Sequence, residues 1–244
     1  RQLISDVPVC TLLSGGLDSS ALTAIAANYY RDTGKGVLHT YSLDYRENEK
    51  YFQPNAFQPD SDGPWIRRMV EFLGTQHHQI VIDTPELVEA LREAVLAKDY
   101  PGMADIDSSL YLFCREIKKG ATVALSGEAA DEIFGGYPWF YREEALTAET
   151  FPWALTLNER IGILSRDIID WIRPEQYVRE RYRQALSEVP HLAGEDGKKR
   201  RLRELSYLNI TRFMQTLLDR KDRMSMAVGL EVRVPYCDHR LVEY

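Results

Sequence analysis

Three short strings of side chains in this sequence are equipped for phosphate chemistry. The first is Ser14-Gly15-Gly16-Leu17-Asp18-Ser19-Ser20. Gly15 and Gly16 permit a sharp turn, and Ser14, Ser19 and Ser20 add hydroxyl donors to the free N–H groups of a helix start, a combination that suits phosphate oxygens. Asp18 would repel phosphate unless a divalent cation such as Mg²⁺ stood between them, so it is expected as a metal ligand. The second string, Ser126-Gly127-Glu128-Ala129-Ala130-Asp131-Glu132, offers Asp131 as a second metal carboxylate. Glu128, directly after Gly127, is expected close to the nucleotide as a general base. The third is the basic group Arg220, Lys221 and Arg223, of which Lys221 and Arg223 are expected to neutralise triphosphate and developing pyrophosphate charge. Each string also has a plainer reading. Gly-Gly can be a tight connection with Asp or Ser as a cap, Glu128 to Glu132 can complement a helix dipole, and the basic group can be a solvated face paired with Asp219 and Asp222.

These strings need elements to position them. The apolar run from Val7 to Leu13 reads as a buried strand, and Asp18–Tyr30, without proline or glycine, reads as a helix. Val37–Leu43 follows as a second strand, and this spacing implies a right-handed crossover and a parallel sheet. Residues 44–64 are polar and read as a long excursion, a candidate active-site loop. A helix over 65–73, a third strand over 78–82, a helix over 85–97 and a helix capped by Asp107-Ser108-Ser109 and running to Lys119 come next. Ala121–Leu125 is the fourth strand and delivers the Glu128 loop. In an open parallel sheet, loops at the carboxyl ends of strands share one edge, where ligands bind. Beyond about Phe140 the pattern becomes helical over 158–172, 174–187 and 198–223, and then extended. The fold class is therefore α/β with a helical C-terminal part, divided as residues 1–143 and 144–244. His77 and His78 fit packing or capping and His39 fits a core, while the aromatic group Phe134, Tyr137, Trp139, Phe140 and Tyr141 could wall a substrate pocket, with core packing as the plainer reading.

The 244 residues are 44% hydrophobic and 27% charged, as in globular proteins that bury a sizeable core. A net charge of −7 argues against nucleic acid as a partner. No apolar run is long enough to span a membrane. Three scattered cysteines (Cys10, Cys114, Cys237) without a zinc spacing predict reduced thiols and a cytoplasmic setting. The chain starts at Arg1 and stops mid-pattern, as expected of a piece of a longer protein.

The glycine string is neither a Walker A loop nor a Gly-x-Gly-x-x-Gly turn. It resembles the PP-loop of N-type ATP pyrophosphatases. Together with Leu-Gly-Thr-Gln-His-His (73–78), Ser-Gly-Glu-Ala-Ala-Asp-Glu-Ile-Phe-Gly-Gly-Tyr (126–137) and Glu-Val-Arg-Val-Pro-Tyr-Cys-Asp (231–238), it resembles the synthetase domain of the glutamine-dependent asparagine synthetase family. The resemblance implies a sheet of the adenine-nucleotide α-hydrolase type. It also implies attack of the aspartate β-carboxylate on the α-phosphorus of ATP, followed by displacement of AMP by ammonia. Ser14, Gly15, Gly16, Asp18, Ser19 and Ser20 would hold pyrophosphate and Mg²⁺, with Asp131 completing the metal site. Leu12, Leu43, Ser126 and Gly127 would hold adenosine, and Glu128 would take the proton from the ammonium or the tetrahedral adduct. An N-terminal glutaminase domain, expected as the source of ammonia, and a phosphate-contacting lysine beyond Tyr244 lie outside this sequence; a homodimer is left open. Ala129 stands where many members carry glycine, which matters if the backbone there needs φ > 0. Two other readings remain: a PP-loop amidotransferase or β-lactam-type synthetase with another acceptor, and an ATP-binding module without turnover.

Overall fold

The computed structural model describes residues 1–55 and 58–244; Ala56 and Phe57, in the expected 44–64 excursion, lie outside them. Two compact units form, one from Arg1–Ala130 with Thr216–Tyr244 and the other from Asp131–Gln215.

In the first unit the chain runs Val9–Leu12 (β1), Leu17–Asp32 (α1), His39–Tyr45 (β2), Asn48–Tyr51 (α2), Gly63–Leu73 (α3) and Gln76–Ile82 (β3). Thr84–Glu89 (α4), Leu91–Lys98 (α5), Ala104–Lys118 (α6) and Val123–Leu125 (β4) follow. Ala130–Phe134 (α7) leads into the second unit, where Glu143–Thr147 (α8), Leu157–Ile161 (α9), Arg166–Ile172 (α10), Pro174–Ser187 (α11) and Gly197–Leu208 (α12) lie. A π-helical turn, Asn209–Phe213, precedes Met214–Met226 (α13); Glu231–Arg233 (β5) and His239–Val242 (α14) end the chain.

All strand pairs are parallel, in the order β3-β2-β1-β4-β5. The alternation of β1 explains the layering. Val9 joins Ala26, Ala27, Leu38, Leu73, Val123 and Leu125 on the face covered by α1 and α3. Cys10 joins Leu110, Phe113, Cys114, Ile117 and Met224 on the opposite face, covered by α6 and α13. Buried Thr11 keeps its hydroxyl satisfied 3.0 Å from that of Thr23 on α1. The chain builds outward from β1 to β2 and β3, then returns to add β4 and β5 on the other side. The strand order therefore reverses between β1 and β4, the place where open α/β sheets bind ligands.

The expected α/β class holds, and the C-terminal segment takes a more intimate part in it than a helical appendage would. Residues 216–244 return to the sheet because β5 pairs with β4, Ala124 opposite Val232, so the compact units change at 130/131 and 215/216 and not at 143/144. Two helix starts also differ from expectation. The helix expected from 85 to 97 is interrupted at buried Ala90, after an Asp83–Glu86 capping box has set its start. The Asp107-Ser108-Ser109 string is inside α6 and does not cap it. The Ser108 and Ser109 hydroxyls donate back to the carbonyls of Ala104 and Ile106, and Asp107 forms a buried ion pair with Lys98 at 3.4 Å.

In the second unit, Tyr182, Ala185 and Leu208 form a small core with Phe151, Trp153 and Leu186. Tyr137 stacks on Trp139, and Phe213 meets both rings edge-on, so these two serve packing, whereas Phe134 and Tyr141 are exposed and do not join a core. Arg201 ties α12 to the end of α8, donating to the carbonyls of Ala145, Leu146 and Ala148 and to the Tyr182 hydroxyl. Among the described residues no helix is long and apolar enough to cross a membrane.

Burial of the two core thiols has a measurable consequence. Desolvation pushes Cys10 up from an ordinary value of 9.0 to about 12, and Cys114 up to about 11. The unfolded thiols ionise first, so their protonated state favours the fold below about pH 9 and that contribution is lost as pH rises through the folded values. The melting temperature should fall between about pH 9 and 11, and Cys114→Ala should make the fall shallower than in the parent.

Candidate active site

The first string folds as the turn from β1 into α1. Gly15 adopts φ +82°, which an L side chain resists, and a Cβ there would stand 2.9 Å from Trp65 Cβ and 3.0 Å from the Ile66 nitrogen. The start of α3 thus closes directly over the loop. Gly16 caps α1 without a side-chain acceptor, leaving the first-turn N–H groups and the positive helix end directed at the loop mouth. Ser19 holds the turn together. Its hydroxyl donates to the Gly16 carbonyl at 3.2 Å, accepts the Ser14 N–H at 3.2 Å and lies 3.0 Å from the Ser14 hydroxyl. Ser20 continues the helix through its N–H to the Gly16 carbonyl. Asp18 is half-buried, with no cation at ion-pair distance among the described residues, and desolvation raises its carboxyl above the ordinary range.

The second string leaves β4 beside this turn because β1 and β4 are paired neighbours. A Cβ on Gly127 would stand 3.0 Å from the Ser19 nitrogen and 3.3 Å from the Asp18 carbonyl carbon. The two loops therefore touch backbone to backbone. Buried Ser126 donates its N–H to the Arg233 carbonyl, and its hydroxyl accepts the Glu128 N–H at 3.3 Å. Lys221 Nζ approaches Glu128 Oε2 to 3.0 Å, and an Arg220 Nη2 lies 3.8 Å from Oε1, all three side chains being 13–15% exposed. The lysine contact is an ion pair without hydrogen-bond alignment. Glu128 Oε2 and Arg220 Nε are buried polar atoms that lack a hydrogen-bond partner among the described residues. Such atoms are costly to leave unsatisfied.

A half-buried carboxylate at a glycine turn, a helix start and a Glu–Lys–Arg group thus meet at the sheet's switch point. The family profile described as "Asparagine synthase" matches residues 1–244. The chain belongs to the asparagine synthase family. It is 59% identical over 244 residues to "Asparagine synthetase [glutamine-hydrolyzing] 3" of Bacillus subtilis (strain 168), covering 100% of this chain and 39% of the relative. "Asparagine synthetase [glutamine-hydrolyzing] 1" of the same organism is 29% identical over 274 positions, covering 96% of this chain and 39% of the relative. An Arabidopsis thaliana "Asparagine synthetase [glutamine-hydrolyzing] 3" is 31% identical over 150 residues, covering 58% of this chain and 24% of the relative. The chain spans about two fifths of the length of its B. subtilis relatives.

Within this asparagine synthase domain the remaining expected residues separate. Leu12 and Leu43 are partly buried and pack on the core cluster of Cys10, Tyr41 and Phe113 beneath the loops. Asp131 lies on α7, at the start of the second unit, where its carbonyl accepts the Gly136 N–H at 3.0 Å. Arg223 is not beside Glu128. Its guanidinium binds Asp219, Asp99 and the Lys98 carbonyl. His39 and His78 bond to each other at 2.9 Å, and His77 lies within hydrogen-bond distance of Thr40 and Ser42, so the histidines tie β2 to β3. Two neighbours of the site carry no strong sequence signal. Tyr236 donates its hydroxyl to the Asp18 carbonyl at 3.1 Å, and Trp65 covers Gly15. Their only cues were the Val-Pro-Tyr string and the Asp-Ser-Asp-Gly turn before α3.

Ala129, buried next to Glu128, adopts φ +78°, the conformation that glycine accommodates. Ala129→Gly should therefore raise unfolding free energy by up to about 1 kcal/mol in urea titration, strain relief outweighing the added chain entropy. Gly127→Ala should lower it by about 1–3 kcal/mol in the same assay, because the Ser19 backbone must move to admit a methyl group.

Proposed function

We propose that this domain makes asparagine from aspartate, ATP and ammonia by adenylating the β-carboxylate and then amidating it. The observation that carries the reading is the Gly127–Ser19 backbone contact, which sets Glu128 and its two cations beside an anion-binding helix start. Ser14, Gly15, Gly16, Ser19 and Ser20 would bind the leaving pyrophosphate through N–H groups and hydroxyls. Leu12, Leu43, Ser126 and Gly127 would line the adenosine position. Asp18 fits a hard divalent cation, since a partly desolvated carboxylate without an ion-pair partner gains most from one, and Asp131 is the second ligand we assign. Among the described residues no group of three or more His, Cys, Asp or Glu could hold a metal by itself, so nucleotide oxygens and water would complete the shell of Mg²⁺. That ion would supply charge neutralisation on the phosphates.

In the first step a β-carboxylate oxygen of aspartate bonds to the α-phosphorus as the bond to pyrophosphate breaks. Lys221 and Arg220 sit where negative charge gathers and would stabilise it. In the second, ammonia nitrogen adds to the acyl carbon, the acyl–AMP bond breaks, and the excess proton on nitrogen passes to Glu128 Oε2. Holding the reactants in place supplies much of the rate. We further propose that the full-length protein is cytoplasmic and that a glutaminase domain preceding this one delivers the ammonia. The names of the relatives, which specify glutamine hydrolysis, and their greater length support the glutaminase domain.

Full-length protein given ATP, Mg²⁺, aspartate and ammonium should release AMP and pyrophosphate only when aspartate is present. Glu128→Gln should reduce asparagine formation by about 10²–10⁴-fold while ATP affinity stays within a few-fold. Asp18→Ala should abolish Mg²⁺-dependent ATP binding. AMP release without aspartate would indicate another acceptor, and loss of ATP binding in Glu128→Gln would remove its role as base.

A further inference from the structure

Arg223 belongs to the same basic run as Lys221, yet it faces away from Glu128. An α-helix turns 100° per residue, so two residues apart means nearly opposite faces. The guanidinium instead bonds to its own helix and to the turn after α5. Nε donates to Asp219 Oδ1 at 2.7 Å, one helical turn back; Nη1 donates to the Lys98 carbonyl at 3.1 Å and to Asp99 Oδ2 at 3.0 Å. Tyr100 donates its hydroxyl to the other Asp219 oxygen at 3.3 Å. A cation on a last-turn carbonyl complements the negative end of a helix.

Both sides of this clamp show signs of being held. Asp99 caps α5 at φ +66°, a left-handed conformation that residues other than glycine adopt uncommonly. Lys98, whose carbonyl is gripped, is buried and ion-paired with Asp107 of α6. The following chain passes so close over that pair that a Cβ on Gly102 would stand 2.1 Å from Asp107 Oδ2. The α5–α6 turn is therefore tied by a buried pair, whereas Arg223 and Asp219 are about one-third exposed (34% and 39%) and Asp99 is largely exposed (81%). Exposed ion pairs add little stability. What a forked, three-acceptor contact adds is direction, since it fixes where the end of α13 sits.

We propose that Arg223 is a positioning residue: by holding α13 to the α5–α6 turn through Asp99 and the Lys98 carbonyl, it sets the rotation that aims Lys221 and Arg220 at Glu128. The inference rests on the role given above to Lys221. Both side chains that meet Glu128 lie within three residues of the clamp on one helix, so slack at Arg223 reaches them directly. Misplacement of catalytic groups by about 1 Å is enough to cost about 10²-fold in rate.

The test is a double-mutant cycle in the full-length protein, following AMP formation with kcat and the KM for ATP separated and melting temperature recorded. Arg223→Met should lower kcat by about 10-fold or more with the KM for ATP changed less than about 3-fold, and Arg223→Lys should restore part of it. Asp99→Gly keeps the left-handed backbone and removes one contact, so it should act in the same direction but less. In a background carrying both Lys221→Met and Arg220→Met, Arg223→Met should cost less than about 2-fold more, because neither cation is left to aim. An undiminished loss in that background, or unchanged kcat in Arg223→Met and Asp99→Gly, would overturn the positioning role while leaving the function intact. Unchanged kcat in Lys221→Met would instead sink the role of Lys221, and the inference with it. If Arg223→Met fails to fold, Asp99→Gly carries the same cycle.

Discussion

Everything at the site depends on a backbone contact that admits no side chain. Gly127 meets the start of α1 at Ser19, and a methyl group would be 3.0 Å from the Ser19 nitrogen. The contact exists because β1 and β4 are in parallel register, Thr11 opposite Leu125, so the loops that follow them emerge side by side. Gly15 plays the matching part on the other flank, where α3 closes over the turn. The N–H groups of α1, the Asp18 carboxyl and the Glu128 carboxylate are brought to one edge by these approaches.

Electrostatics then runs against the charge of the whole chain. A protein with a net charge of −7 places Arg220 and Lys221 in a largely buried position around one carboxylate. Taking three ionised groups out of water is expensive, and their mutual attraction offsets this only in part: Glu128 Oε2 and Arg220 Nε lack a hydrogen-bond partner among the described residues. Ala129, held at φ +78° beside Glu128, is a local strain of the same kind. Backbone strain beside a carboxylate is a feature that binding sites retain. Arg223 shows the complement: bonded through Nε and Nη1 and about one-third exposed, it takes no part in that buried group.

Residues 131–215 illustrate a different solution. Their small core of Tyr182, Ala185 and Leu208 is supplemented by a saturated arginine, Arg201, that satisfies three carbonyls at the end of α8. Carbonyls at a helix end need such donors wherever water is excluded. The segment enters from α7 and leaves through the π-helical turn before α13, and the chain then returns to the sheet.

Much of this was legible in the residues themselves. Local patterns determine the four strands from Val7 to Leu125, the glycine turn, the helix after it and the placing of Glu128 past a buried strand, because period, propensity and glycine conformations act over a few residues. Ala129 was readable as a glycine-like position, and its backbone is left-handed as that comparison required. Tertiary structure alone decided the rest. The pairing of β5 with β4 joins residues a hundred apart, the ion pair of Asp107 with Lys98 draws Asp107 into α6, and the rotation of α13 turns Lys221 inward and Arg223 outward. A sequence shows that three basic residues lie close together in the chain. Only the packing of a helix, 100° per residue against fixed neighbours, determines which of them faces the carboxylate.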